Sequence, residues 1–135
     1  MGEARVDGVV TDLGERFARA LAAKDVPALL EVLHPEVDFR AMTPSRFWEA
    51  SSAAAVVDDI LLGAWFEATD HIDAIDAVES EMVADRIRVG YELRVTNGDG
   101  TFTVGQQAYL GVVDERIGWL RVMCAGYRRA DQLTG

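Results

Sequence analysis

Three stretches in the C-terminal half alternate apolar and polar residues so regularly that they leave few choices of fold. In the stretch Arg86 to Thr96, the residues Ile87, Val89, Tyr91, Leu93 and Val95 face one way, and Arg88, Glu92 and Arg94 the other. A period of two residues is that of a strand with one buried face. Asn97-Gly98 follows, a pair that accepts the positive φ angles of a tight hairpin turn. Thr101 to Val113 returns with Phe102, Val104, Gln106, Ala108, Leu110 and Val112 on one face. After a turn at Asp114-Glu115-Arg116, Ile117 to Arg128 makes a last strand. Slipping any of these strands by one residue would turn its apolar set into water, so the pattern itself holds the register.

A meander with one apolar face needs a cover, and the N-terminal half supplies helices. Val6, Val9, Val10, Leu13, Phe17, Ala20 and Leu21 recur at spacings of three and four over Asp7 to Lys24, with Asp12, Glu15, Arg16 and Arg19 opposite. Asp25 stands where an N-cap belongs and Pro27 lies in the first turn of a second, short helix. That helix has Val26, Leu29, Leu30 and Leu33 inward and stops at His34-Pro35, because a residue before proline avoids the helical region. Glu36 to Thr43 alternates as a short strand. Thr43-Pro44-Ser45 is a turn, and Arg46-Phe47-Trp48-Glu49 is expected as a loop or short helix. Ser51 or Ser52 caps a third helix over Ala53 to Phe66, and His71 to Glu79 is a further strand candidate. Three helices followed by antiparallel strands predict an α+β layer fold, with helices on one face of the sheet.

With 135 residues, half of them hydrophobic, the chain fits one domain (1–135) with one core. No apolar run approaches the ~20 residues that span a bilayer. Met1 to Val10 lacks the basic start and apolar stretch of a signal peptide, so a cytoplasmic location is expected. A lone cysteine, Cys124, excludes an internal disulfide framework and a cysteine-based zinc site. A formal net charge of −10 argues against nucleic acid and against anionic membrane surfaces. There is no Gly-rich phosphate loop and no metal-ligand spacing, so neither cofactor nor metal is expected.

Local sequence agrees with this order of elements. Glu15-Arg16-Phe17-Ala18-Arg19-Ala20-Leu21-Ala22-Ala23-Lys24-Asp25 resembles the first helix, and its junction to the second, in the NTF2-like superfamily. Leu33-His34-Pro35-Glu36-Val37-Asp38-Phe39 resembles that family's entry into the first strand, and Trp119 to Arg128 its last strand in SnoaL-like proteins. The resemblance runs from about Val6 to Arg128. It implies a cone-shaped, cystatin-like roll in which three helices and a curved antiparallel or mixed sheet enclose an apolar pocket. It also implies that the back of the sheet pairs two copies of the chain. The superfamily hosts isomerases, cyclases, dehydratases, epoxide hydrolases and binding modules, so the fold alone does not choose among them.

Strand parity then sorts the residues. Val89, Tyr91, Leu93, Val104, Gln106, Ala108, Leu120, Val122 and Cys124 should face helices and pocket. Gln107, Tyr109, Trp119, Arg121, Met123 and Tyr127 should lie on the back. Tyr109, Trp119, Arg121 and Met123 are the expected homodimer surface; cover by neighbouring elements within the monomer is the alternative.

Each enzymatic mechanism of the superfamily asks for particular residues. A ketosteroid isomerase of this superfamily needs a phenol, a carboxylate base and a protonated acid; the corresponding positions fall on Phe17, on Ala41 and near Gln106 or Gln107. Cyclase and dehydratase relatives rely on Asp with His, but His34 sits at a helix end and His71 at a strand edge. Epoxide hydrolase relatives use two aspartates bridged by an arginine, whereas Arg86, Arg88, Arg94 and Arg121 fall on the back face or at turns with no inward Asp. Asp58-Asp59 diverge around a helix. Asp70, Asp73, Asp76, Glu79 and Glu81 form an acidic run without cation-loop spacing. Asp76 alternates with Ile72, Ala74 and Val78, which makes it the single acidic candidate for an inward general base. Cys124 reads as a buried, inert thiol.

Two polar groups remain on the inward face. Gln106 interrupts an apolar strand face, and Tyr91 is its neighbour on the adjoining strand. They orient a ligand carbonyl or hydroxyl, or else bond each other in a filled core. Trp48 gates or plugs the pocket mouth, while Trp65 and Phe66 are expected to pack. The predicted ligand-contacting set is Phe17, Phe39, Trp48, Tyr91, Gln106 and Cys124, around a small hydrophobic molecule. An enzyme using general acid–base chemistry through Asp76 or Tyr91 is the alternative.

Overall fold

The computed structural model describes residues 2–130, with side chains from Asp12 onward. Helix α1 (Gly2–Ala22) buries Leu13, Phe17, Ala18, Ala20 and Leu21 along one stripe. The inward placement expected of Val6, Val9 and Val10 lies outside the described side chains. Lys24 takes a positive φ of 53° and turns the chain, and the Asp25 carboxylate accepts a hydrogen bond from the Ala28 amide at 3.1 Å to cap α2 (Val26–Val32).

Strand β1 (Leu33–Thr43) begins directly at the end of α2. Leu33, expected on the helix, is instead its first residue and pairs with Ile117. Pairing with the last strand is irregular between Leu33 and Asp38, which accommodates Pro35, a residue with no amide hydrogen to give to a ladder. The segment expected as a loop or short helix is a strand, β2 (Arg46–Ala50), folded back on β1 through a turn in which Ser45 has φ 71°. Phe47 and Glu49 point one way and Trp48 and Ala50 the other. In a five-residue strand holding adjacent aromatics, that alternation is too short to read from sequence.

Helix α3 opens as one α turn (Ala53–Ala55), capped by the Ser52 hydroxyl, and runs on as a π-wound segment (Val56–Trp65). The wider winding closes with the Phe66 amide donating to the Leu61 carbonyl, five residues back, at 2.9 Å. Gly63 is required here: a Cβ would stand 2.2 Å from the Asp58 carbonyl oxygen.

Four long strands complete the sheet: β3 (His71–Val83), β4 (Arg86–Asn97), β5 (Gly100–Val113) and β6 (Arg116–Arg129). The order across the sheet is β2-β1-β6-β5-β4-β3, parallel between β1 and β6 and antiparallel elsewhere. The fold is thus three helices packed on a six-stranded mixed sheet. Helix α1 lies against β3 and β4, and α2 and α3 against β1. Between the layers sits one apolar core, including Phe17, Phe39, Leu61, Phe66, Val89, Leu93, Leu110 and Leu120.

Two irregularities re-aim side chains. In β6 one extra residue lies between the pairs Cys124–Gln106 and Tyr127–Val104, and Gly126 adopts φ 85°. The bulge turns Tyr127 off the back face, where simple alternation places it, onto the helix side. In β3 the pairing shifts between Ile72 and Ala74 and again between Asp76 and Glu79, with Ala77 at φ 53°. Ile72 and Ile75 therefore share the inner face, opposite Val95 and Leu93, and Asp76 does not.

Candidate functional site

The inner face of the sheet carries a short polar row inside the apolar core. Tyr91, Gln106 and Cys124 are direct neighbours across β4, β5 and β6. Tyr91 donates its phenolic hydrogen to Gln106 Oε1 at 2.6 Å. Gln106 is only 2% exposed, and its Nε2 has no hydrogen-bond partner. Burial raises the Tyr91 phenol far above its ordinary value of 10.0, reinforced by Cys124, so the phenol stays a neutral donor.

Trp65, at the end of α3, is the helical counterpart. Its ring packs on Phe39 at 6.1 Å and edge-on to Trp48 at 6.0 Å. Its Nε1 is buried and has no hydrogen-bond partner. The Trp48 indole, by contrast, donates to Thr43 Oγ1 at 2.8 Å and carries the Arg46 guanidinium 3.7 Å from its ring centre. Trp48 is half-buried at the edge of the sheet, whereas Phe17, Phe39, Tyr91, Gln106 and Cys124 are buried. The six residues expected to contact a ligand thus all lie on the helix side of the sheet. Trp65, expected only to pack, joins them with an unmet donor that no sequence pattern announces.

A polar strap closes the core beside Trp65. The Tyr127 hydroxyl donates to the Trp65 carbonyl at 2.9 Å, and its ring meets Phe66 at 6.1 Å and Phe102 at 5.6 Å. Burial, followed by the Asp70 carboxylate, holds the Tyr127 phenol well above the ordinary tyrosine range. Asp70 is buried and fully engaged, accepting from the Glu67 amide and from Asn97 Nδ2, each at 3.0 Å. Lys24 Nζ donates to the carbonyls of Glu67 and Asp70. Sequence reading missed this network because it joins four segments far apart in the chain.

Asp76, the candidate general base, is exposed on the outer side and pairs with Arg94 at 3.3 Å. The β3 bulge described above is the cause. His34 and His71 are likewise away from the polar row: His34 lies 3.6 Å from Asp114, and His71 is exposed at the start of β3. Among the described residues, no group of three or more His, Cys, Asp or Glu side chains is arranged to hold a metal ion. No helix among them is long and apolar enough to cross a membrane.

The outer face has a different character. Tyr109, Trp119, Arg121 and Met123 share it. Trp119 is sandwiched between the Arg86 and Arg121 guanidinium groups, 4.2 and 4.3 Å from its ring. A groove of about 980 Å³ runs along this face, with Met42, Phe47, Tyr109 and Met123 forming its apolar floor and Arg40, Glu49 and Arg121 beside them. A second hollow of about 610 Å³ continues it past Gln107 and Met123, across Gly90 and Gly105, toward Arg88, Glu79 and Glu92. Phe47 is 76% exposed and Met123 58%.

No family model matches this sequence, and no curated protein does. Solved structures do match in fold. A LEH-like epoxide hydrolase from M. tuberculosis superposes with a TM-score of 0.66 at 11% identity, covering 87% of this chain and 84% of that one. AusH from Aspergillus nidulans gives a TM-score of 0.67 at 14% identity, covering 93% and 94%. A protein from the de novo design of proteins with diverse pocket structures gives 0.61 at 18% identity, covering 84% and 96%. The fold is that of the NTF2-like, SnoaL-like proteins. At these identities the likeness concerns the fold and leaves the chemistry to the residues.

Proposed function

We propose that the protein is a small-molecule binding domain whose interior, between sheet and helices, holds a hydrophobic ligand without transforming it. One observation carries the reading: Gln106 Nε2 is buried in an apolar surround with nothing to bond. A buried amide that goes unpaired costs about 1–3 kcal/mol, so native folds rarely keep one without a resident partner. The side chains around it, Tyr91, Cys124, Val104 and Ala108, offer apolar contact and one neutral hydroxyl. The described groups beside this row include no carboxylate, imidazole or amine free to move a proton, because Asp70 is tied into the strap and Asp76 is outside. An enzyme of the kind named for the M. tuberculosis neighbour would need such a group there.

Native mass spectrometry of the gently purified protein tests this. The expected spectrum contains an adduct of discrete mass that denaturation releases. A spectrum of bare chain only, together with no saturable uptake of any hydrophobic probe, would contradict the proposal.

A second reading concerns the partner. The outer-face groove joins exposed Met42, Phe47, Tyr109 and Met123 with arginine–carboxylate pairs, Arg40–Glu49 at 3.4 Å and Arg121–Asp38 at 3.3 Å. A face that carries both charges around an apolar centre is self-complementary, which suits a two-fold pairing of identical chains. We propose a homodimer through this face.

A further inference from the structure

We infer that Trp65 is a second ligand-binding residue, and that with Gln106 it selects a neutral ligand bearing an acceptor oxygen, such as a ketone, ester or lactone. The inference rests on the ligand-binding reading above. It begins from an asymmetry in the buried polar inventory. Two side-chain atoms among the described residues are buried with no hydrogen-bond partner, Trp65 Nε1 and Gln106 Nε2, and both are donors. The matching acceptor in the row, Gln106 Oε1, is already taken by Tyr91. An indole nitrogen can only donate, and an amide nitrogen can only donate. The interior therefore offers hydrogens and asks for lone pairs.

The two donors come from opposite layers. Gln106 projects from β5 beside Cys124, and Trp65 hangs from the end of α3 over Phe39 and Trp48. Tyr127 ties the layers together, bonding the Trp65 backbone while standing three residues beyond Cys124 on β6. An alkene or arene placed there would leave both donors unmet, at a cost of about 1–3 kcal/mol each. A carboxylate would satisfy them but would lose its water in an apolar interior, since Arg46, stacked on Trp48, is exposed at the sheet edge and not beside Gln106, and this is costlier still. A carbonyl oxygen has two lone pairs, low desolvation cost and no charge. Water would also satisfy the donors, and the test must separate it from a ligand.

Two matched sets of probes do so: acetophenone against α-methylstyrene, and 2-acetylnaphthalene against 2-isopropenylnaphthalene, in which C=CH2 replaces C=O at nearly constant shape, with 2-naphthoate as the charged control. Affinities are measured by calorimetry, and the Trp65 indole N–H signal, identified by its loss in Trp65→Phe, is followed by NMR. The expected result is a ketone roughly tenfold tighter than its hydrocarbon, with the indole proton moving downfield on ketone addition only. Trp65→Phe should narrow that ratio, the ketone losing more affinity than the hydrocarbon; a merely structural role would weaken both equally and keep the ratio. Equal binding of ketone and hydrocarbon would overturn the inference and leave the ligand-binding reading standing, with water as the donors' partner. Tightest binding of 2-naphthoate would overturn neutrality. No binding by any probe would overturn this inference and the binding reading together.

Discussion

Tyr91 gives its only hydrogen to Gln106 Oε1 at 2.6 Å across two central strands, and so fixes which end of the amide is left over. Without that bond the amide could rotate and present an acceptor instead. With it, Nε2 is the free end. Tyr91→Phe should therefore cost about 1–3 kcal/mol by leaving Oε1 unmet, and Gln106→Leu a similar amount by stranding the phenol. Replacing both together should cost less than the sum, because neither partner is then left behind. Urea unfolding of the four proteins checks this; strict additivity would mean that the bond is not formed.

The buried phenol of Tyr91 and the partly exposed one of Tyr127 are both held protonated, and this has a signed consequence at alkaline pH. Their folded values lie above the ordinary 10.0, so below that pH neither state ionises and their contribution is intact. Above it the unfolded chain loses protons that the folded chain keeps, and stability falls as pH rises. Tyr91→Phe and Tyr127→Phe should each flatten the decline above about pH 10, as read from unfolding midpoints across an alkaline series. Equal slopes in wild type and variants would contradict the burial argument.

The π winding of α3 depends on Gly63. A methyl group there would collide with the Asp58 carbonyl, so Gly63→Ala should lower stability by roughly 1–3 kcal/mol, the usual cost of forcing an overpacked site. Because Trp65 ends this helix, the same change should alter ligand affinity as well. Thermal unfolding and Trp65 fluorescence, isolated in a chain with Trp48 and Trp119 replaced by Phe, provide the readouts. An unperturbed protein would mean that the segment is wound as an ordinary α-helix.

For the proposed dimer, Met123→Lys and Phe47→Lys place a charge on the apolar floor of the outer groove. Neither side chain takes part in the core, so folding should be preserved while light scattering falls to the mass of one chain. A monomeric wild type at high concentration, or a dimer indifferent to both changes, would count against this face.

The strands from Arg86 to Arg128 were legible because a buried face forces strict alternation over many residues, and the hairpin turn carries its own Asn97-Gly98 signature. So was the placement of Tyr91, Gln106 and Cys124 in one inward row. Alternation failed where a single extra residue enters a strand. The bulges in β3 and at Gly126 reverse the side on which Asp76 and Tyr127 emerge, and a bulge adds no distinctive composition to announce itself. Strand β2 was missed because five residues hold too few periods to separate a strand from a short helix. The state of Trp65 was beyond sequence for another reason: whether an indole finds an acceptor depends on what the opposite layer presents, and no pattern within α3 records that.

The most direct test of the account is the Gln106 side-chain amide itself. Its proton pair can be assigned in NMR spectra by comparison with Gln106→Leu and followed while 2-acetylnaphthalene is added. The account predicts a saturable shift of these protons, absent with 2-isopropenylnaphthalene. Amide signals that stay fixed while the ketone binds elsewhere, or a ketone that does not bind at all, would contradict it.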